Sequence, residues 1–306
     1  MRKISLLIVL GLVWMGGCKQ KEEDATSSSQ SGQKPTVYVS NYPLQYFVER
    51  VAPWIEVRFP ADASGDPAYW KPTAQEVSAM QKADVIVLNG ASYETWLKNV
   101  SLPQAKLVNT SAGVTDKFIP LEEHATHSHG LEGEHEHSGM AFTLWLDMTL
   151  AQAQVQAISD AFSARWPDHA AELKQSSSVL IRDLKGLDEQ MKATVSAASS
   201  LPVLCSHPVY QYLEKRYGIN GKSVHWEPDV MPDETLWKEL ADLISTHPAQ
   251  WMIWEGPPLS EVVAKLAEMG IQSVVFDPCA GKPDQGDFLS VMKENVAALQ
   301  IMYGKK

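Results

Sequence analysis

Between about Thr149 and Ala198 the composition turns rich in Ala, Gln, Lys and Leu, and Leu180, Leu184, Leu187, Met191 and Val195 recur at spacings of three and four. That periodicity predicts an amphipathic helix of many turns, whose apolar stripe has to be covered along its length by the rest of the chain. Trp166-Pro167-Asp168 interrupts the region. Proline disfavours helical geometry in the residue before it and fits the first turn of a new helix, so one helix is expected before Trp166 and a longer one after it. A chain of 306 residues exceeds what one compact core usually organises. Two lobes divided by this helical stretch are the natural expectation.

Both flanks alternate short β-branched runs with helix-like segments. Before the helical stretch the strands are read at Thr36–Ser40, Trp54–Phe59, Asp84–Asn89 and Lys106–Asn109, with helices after Pro43, from Thr73 through Met80, and from Tyr93 to Val100. After it come strands Pro202–Ser206, Ser223–Trp226, Trp251–Trp254 and Ser273–Phe276, with helices at Tyr210–Tyr217, Glu234–Thr246 and Ser260–Met269 and a closing helix from Phe288. Strand and helix in alternation imply an α/β chain in which each lobe is a parallel sheet with flanking helices. The divisions fall at 36–148, 149–199 and 200–306.

In open parallel sheets ligands bind beyond the carboxyl ends of the strands. In the second half those ends hold Cys205, Ser206 and His207, then Glu227, then Glu255, then Asp277 with Cys279. Together they have the composition of a metal site. Each also has a plainer reading: His207 as a helix cap, Asp277-Pro278 as a loop start, Glu255 as a salt-bridge partner. His225 reads as a core histidine, and His169 and His247 as surface residues at helix edges. Trp70, Trp145, Trp226, Trp251 and Trp254 read as core.

Five of the nine histidines fall at His124, His127, His129, His135 and His137. Imidazole is the commonest protein ligand for zinc, and the interleaved Gly130, Gly133, Ser128 and carboxylates deny the segment a hydrophobic stripe. A mobile, metal-binding loop over 124–137 is expected.

Arg2 and Lys3, an apolar run from Ile4 to Trp14, and Met15-Gly16-Gly17-Cys18 have the layout of a secretory signal, too short to span a bilayer comfortably. Two small residues directly before the cysteine look like the lipobox of bacterial lipoproteins, which would make Cys18 the lipidated first residue of an exported chain, anchored in the periplasm or at the cell surface. Residues 19–35 are polar and read as a flexible tether. The formal charge is −11, and losing Arg2 and Lys3 takes it to −13. An acidic surface suits a cationic ligand and argues against nucleic acid. No Gly-x-Ser-x-Gly, phosphate loop or strand-anchored Gly-x-Gly-x-x-Gly is present, so no catalytic residue is assigned and the chain is not read as an enzyme.

Pro43-Leu44, Ala83-Asp84-Val85-Ile86-Val87-Leu88-Asn89-Gly90 followed by Glu94-Thr95-Trp96-Leu97, and Ser206-His207-Pro208-Val209-Tyr210-Gln211-Tyr212-Leu213 before Arg216-Tyr217-Gly218 resemble the zinc- and manganese-type substrate-binding lipoproteins of bacterial ABC importers. The His-rich segment has the same place. The resemblance implies two α/β lobes bridged by a long rigid helix, with a divalent ion bound between them by a monomer and handed to an ABC-type metal permease. It also implies His207 and Asp277 as ligands. Two departures stand out. Asp66-Pro67-Ala68-Tyr69-Trp70 lacks the histidine of the family's first Asp-Pro-His motif, and Phe142-Thr143-Leu144-Trp145-Leu146-Asp147 lacks that of the second.

Zinc normally takes four ligands, so His207 and Asp277 leave it short. His135 or His137, next to the second gap, are expected to complete the site, with Glu255 or His225 as rivals, while His124, His127 and His129 capture ions. An imidazole-rich set favours Zn2+ over Mn2+ or Fe2+. A metal-dependent hydrolase, or a scavenging lipoprotein without a permease, is the alternative. If the ends of the His207 and Asp277 strands are neighbours, Cys205 and Cys279 are placed to form a disulfide; thiolate ligation or two separate buried thiols are the other readings.

Overall fold

The structure, a computed structural model, describes residues 34–59, 68, 70–121, 126–129, 133–136, 139–198 and 200–304. Cys18, the tether through residue 33, Asp66, Pro67, Tyr69, His124 and His137 lie outside the described residues, and residues 126–129 and 133–136 are described by backbone alone.

The first sheet comprises β1 (Thr36–Val39), β2 (Glu56–Arg58), β3 (Val85–Leu88) and β4 (Leu107–Asn109), all parallel, in the order β2-β1-β3-β4. All four residues of β3 are buried, as a strand covered on both faces requires. Helix α1 (Tyr42–Val51) starts where the Asn41 side chain accepts from the Leu44 N–H and Pro43 occupies the first turn. Helix α2 (Ala74–Lys82) starts on a reciprocal cap between Thr73 and Glu76. The segment expected to be helical from Tyr93 is only a 3-10 turn, Thr95–Asn99. Gly90, Ala91 and Ser92 all adopt positive φ just before it, and the chain returns to extended backbone at Val100.

The described residues of the His-rich segment, 126–129 and 133–136, are strands. They form an antiparallel hairpin of β5 (Thr126–His129) and β6 (Gly133–Glu136), with His127 opposite His135. Its root is a short ladder in which Leu121 N–H donates to Gly139 O and Ala141 N–H to Ile119 O. Polar strands of this kind carry no apolar alternation, which is why periodicity gives no sign of them.

Helix α3 (Met148–Arg165) and helix α4 (Ala170–Ser196) flank the Trp166-Pro167 break. The second sheet follows, with β7 (Pro202–Cys205), β8 (Asn220–Ser223), β9 (Trp251–Trp254) and β10 (Gln272–Val275) parallel in the order β10-β9-β7-β8. Counted within each lobe, both sheets run second, first, third, fourth. Helices α5 (Gln211–Tyr217), α6 (Glu234–Thr246), α7 (Ser260–Glu268) and α8 (Phe288–Tyr303) complete the lobe. β8 is displaced towards the N-terminus from the expected Ser223–Trp226. α5 ends on Gly218 in the left-handed region, and the chain pairs at once through Asn220-Gly221-Lys222. At Gly221 a β-carbon would collide with the Glu214 side chain, so the residue that lets this edge strand approach α5 is one that carries no apolar pattern.

α4 packs against α3, α1 and α8 and so touches both lobes. Leu180, Leu184, Leu187, Met191 and Val195 are buried in one continuous cluster that also holds Val37 and Val87 from the first sheet and Val203 and Ile253 from the second. Each such side chain contributes about 1.5–3 kcal/mol relative to exposure. Polar struts cross the same seam: Trp145 Nε1 donates to Pro278 O at 2.7 Å, Tyr42 N to Ala280 O at 3.1 Å, Thr143 Oγ1 to Val209 O at 2.6 Å, and Tyr212 Oη to Ala141 O at 3.0 Å. Asp188 on α4 receives Arg216 through both carboxylate oxygens, at 2.8 and 2.6 Å, and the Tyr217 hydroxyl at 3.1 Å. No described helix is long and apolar enough to cross a membrane.

Candidate metal centre

In a sheet ordered second, first, third, fourth, successive connections depart in opposite directions between the first and third strands, and a crevice opens there beyond the carboxyl ends. In the second sheet this point lies between β7 and β9. His207 follows β7, Glu227 follows β8 and Glu255 directly follows β9. One ligand atom from each lies within 4.8 Å of the other two, the only such group of three among the described residues. His207 Nδ1 is 3.7 Å from Glu227 Oε1. Zinc with arms near 2.1 Å holds tetrahedral ligands about 3.4 Å apart, so the histidine–glutamate pair needs little adjustment to share an ion. His207 is buried, while Glu227 and Glu255 are half-buried. One neutral imidazole and two carboxylates match the charge of a divalent cation.

The neighbouring chain holds these groups in place. Ser206 N–H donates to Ile253 O at 2.8 Å and Trp226 N–H to Ser206 O at 2.8 Å, so the backbone pairing of the three strands continues past their formal ends towards these side chains. The His225 ring meets that of His207 edge-on, with centroids 6.0 Å apart. His225 therefore lies beside the site, past the end of β8, rather than inside a strand.

Asp277 is not part of this group. Its Oδ1 accepts from Cys279 N–H at 2.6 Å, and its backbone is clasped by Asn295 of α8 through N–H to Oδ1 at 2.9 Å and Nδ2 to O at 2.7 Å. Burial raises its pKa, with the Cys279 N–H opposing and Glu294 adding to the rise. The two cysteines are free thiols, not a disulfide. Cys205 donates to Glu214 Oε1 at 3.4 Å, and Cys279 is turned towards Gly281 O. Burial pushes both thiols well above their ordinary range. His247 is buried, contrary to its expected surface place, because its Nε2 lies 3.1 Å from Val203 O. His169 is half-buried and stacks on Trp54.

The corresponding point of the first sheet, between β1 and β3, is sealed. Asn41 and Asn89 meet across it at 3.4 Å, and Gln154 of α3 donates to Asn89 Oδ1 and Thr110 Oγ1, both at 3.0 Å. Glu94 accepts from the N–H groups of Asn89 at 2.6 Å and Gly90 at 3.0 Å. Ala68, in the first motif that lacks its histidine, is buried. At the second gap, Thr143 is spent on the strut to Val209 and Asn89 Nδ2 donates to Phe142 O. The first lobe thus supplies no member of the cluster among the described residues.

Burial raises the pKa of Glu94 despite the opposing hydrogen bonds from Ser40, Asn89 and Gly90. A carboxyl whose folded pKa is raised contributes stability fully present below its unfolded value and lost as pH rises through the folded value. Glu94→Gln removes that titration. Urea denaturation at a series of pH values should therefore show wild type losing stability relative to the variant from about pH 4 upward, by up to about 1.4 kcal/mol per pH unit inside the window. Parallel stability profiles would show that Glu94 does not titrate in this way.

Among known proteins the chain is 25% identical over 313 aligned residues to the zinc-binding lipoprotein AdcA of Streptococcus pneumoniae, covering 98% of this chain and 61% of that protein. It thus spans under two thirds of that relative. It is 28% identical over 288 residues to the high-affinity zinc uptake system protein ZnuA of Bacillus subtilis, covering 90% of this chain and 89% of that one. In fold it is similar to the metal-dependent lipoprotein YcdH of Bacillus subtilis, with TM-score 0.74, 24% identity and coverage of 88% and 98%. Zn(II)-bound AdcA gives TM-score 0.75 at 20% identity, covering 90% of this chain and 59% of that one. Matched over residues 37–301, nearly all of the body built on the two sheets, by the model described as zinc-uptake complex component A, periplasmic (ZnuA), the chain belongs to that family.

Proposed function

We propose that the protein captures a zinc ion outside the cytoplasm and delivers it to an ABC-type importer, tethered through a lipid on Cys18 and without catalysing a reaction. The observation that carries this reading is the convergence of His207, Glu227 and Glu255 at the crevice of the second sheet. Family membership and zinc-binding relatives support it.

One imidazole and two carboxylates would by themselves suit manganese as well as zinc. The preference for zinc in this proposal comes from the hairpin. Its root runs directly into Ala141, Phe142 and Thr143, and Thr143 is bonded to Val209, whose own N–H donates to His207 O at 2.9 Å. His135 of the hairpin, or His137 just after it in sequence, then supplies the fourth ligand, while His124, His127 and His129 take up ions from solution.

Zinc and manganese affinities measured by chelator competition on protein lacking residues 1–18 test this reading, with zinc expected to bind more tightly. Deleting residues 124–137 should weaken zinc by at least about tenfold and leave manganese within about threefold, because the ligand taken from the site is an imidazole. Manganese preferred by the intact protein would overturn the choice of ion. A deletion that removes only weaker zinc sites would assign the hairpin to capture alone. Zinc-dependent turnover of ester or phosphoester substrates would favour a hydrolase instead.

A further inference from the structure

Large apolar side chains exposed among the described residues are Val179, Val230, Met231, Met269 and Ile301, and only two of them are adjacent. Val230 is 52% exposed and Met231 46%. They form the tip of the segment that begins at Glu227 and ends where α6 starts. Its two ends are fixed: Pro232 is buried and its carbonyl accepts from Trp237 Nε1 at 3.0 Å, while the Asp233 side chain caps α6 by accepting from Leu236 N–H at 2.9 Å. Packing accounts for the ends and leaves the tip in water. Exposed Asp229, Asp233 and Glu234 flank it in sequence, and no basic residue falls between Glu227 and Trp237.

The tip is mechanically joined to the metal centre. Val230 N–H lies 3.4 Å from Glu227 O, closing a turn on the residue that carries one carboxylate. Pro228 O accepts from Leu259 N–H at 2.9 Å, which staples the segment to the loop that begins with Glu255. Pro228 also lies against Gly256, where an added β-carbon would be 3.5 Å from its ring. Displacing Val230 and Met231 therefore bears on Glu227 and Glu255 together, whereas His207 stands on a different connection, after β7.

We infer that Val230 and Met231 are the docking tip for the membrane permease that receives the ion, seated in an apolar pocket of the permease rimmed by basic residues. Charge complementarity sets the partner's rim, and continuity with the two carboxylates sets the partner's identity: a receiver that grips this tip draws Glu227 and Glu255 off the ion as a pair. The inference rests on the importer reading given above.

The test uses the full-length, lipid-anchored chain in its own host, with the chromosomal copy removed and wild type or the V230S/M231S variant restored. Purified V230S/M231S should bind zinc within about twofold of wild type by chelator competition, while uptake of radioactive zinc by the cells falls at least about tenfold. Uptake equal to wild type overturns the inference. A loss of zinc affinity that accounts for the loss of uptake overturns it too, since the tip would then serve binding alone. A shift from dimer to monomer in sedimentation assigns the tip to a second copy and likewise overturns it. If wild type itself restores no zinc uptake, the importer reading fails, and the docking role falls with it.

Discussion

Replacing His207 with alanine is expected to weaken zinc binding by at least about 100-fold in chelator competition, because removing a ligand outright should cost more than the roughly 10–100-fold typical of losing a ligand's hydrogen-bonding support. His207 is the one nitrogen donor in the cluster and its most buried member. Glu227→Gln and Glu255→Gln each remove one of two negative charges facing the cation and should follow in the same direction. Asp277→Asn should cost less than either, since that carboxylate is already engaged by Cys279 N–H. Zinc held as tightly by the His207 variant as by wild type would remove the second-sheet cluster from the binding site, and an Asp277 effect as large as that of His207 would add a ligand to it.

Leu184→Ala should destabilise the whole body by about 2–5 kcal/mol, the range for deleting a buried leucine side chain where the surroundings relax only partly. Leu184 is fully buried on α4 in the cluster shared by both sheets. A shared core predicts that both lobes unfold in one transition, and that the variant lowers its midpoint without splitting it. Urea unfolding followed by tryptophan fluorescence and by far-ultraviolet circular dichroism checks this. Two resolved transitions, with only one moved by the mutation, would mean that the lobes have independent cores.

The parallel sheets were legible because their inner strands are unbroken apolar runs: Val85 to Leu88 and Trp251 to Trp254 can be little else. β8 was misplaced because an edge strand written Asn-Gly-Lys-Ser has no such run, and what fixes it is Gly218 ending α5 and the space at Gly221. Of the cluster, His207 and Glu255 were readable as strand-end residues. Glu227 stood in the same position but was not chosen, since its approach to His207 depends on β8 lying beside β7, a pairing no spacing reveals. Asp277 lies outside the cluster for the complementary reason: a strand-end carboxylate looks the same in sequence whether it faces a crevice or its own backbone two residues on. The burial of His247 likewise hangs on a single distant carbonyl, that of Val203.

The core that runs unbroken from one sheet to the other has a consequence for the kinetics of binding. A receptor that must first visit a rare closed or open form has its apparent affinity reduced by the fraction of time it spends there, about 1.4 kcal/mol for each tenfold scarcity. Here Leu180, Leu184 and Met191, with the struts from Trp145 to Pro278 and from Tyr42 to Ala280, tie the lobes into one body. The three clustered side chains His207, Glu227 and Glu255 stand on loops of a single sheet, so no swing of one lobe against the other is needed to bring them together. On the proposed function, these three groups would stand ready in nearly every molecule at the moment an ion arrives, and only His135 or His137 would have to come in. Arrival would then be governed by ion concentration and by the shedding of its bound water, and departure would be left to the small loops that carry the carboxylates.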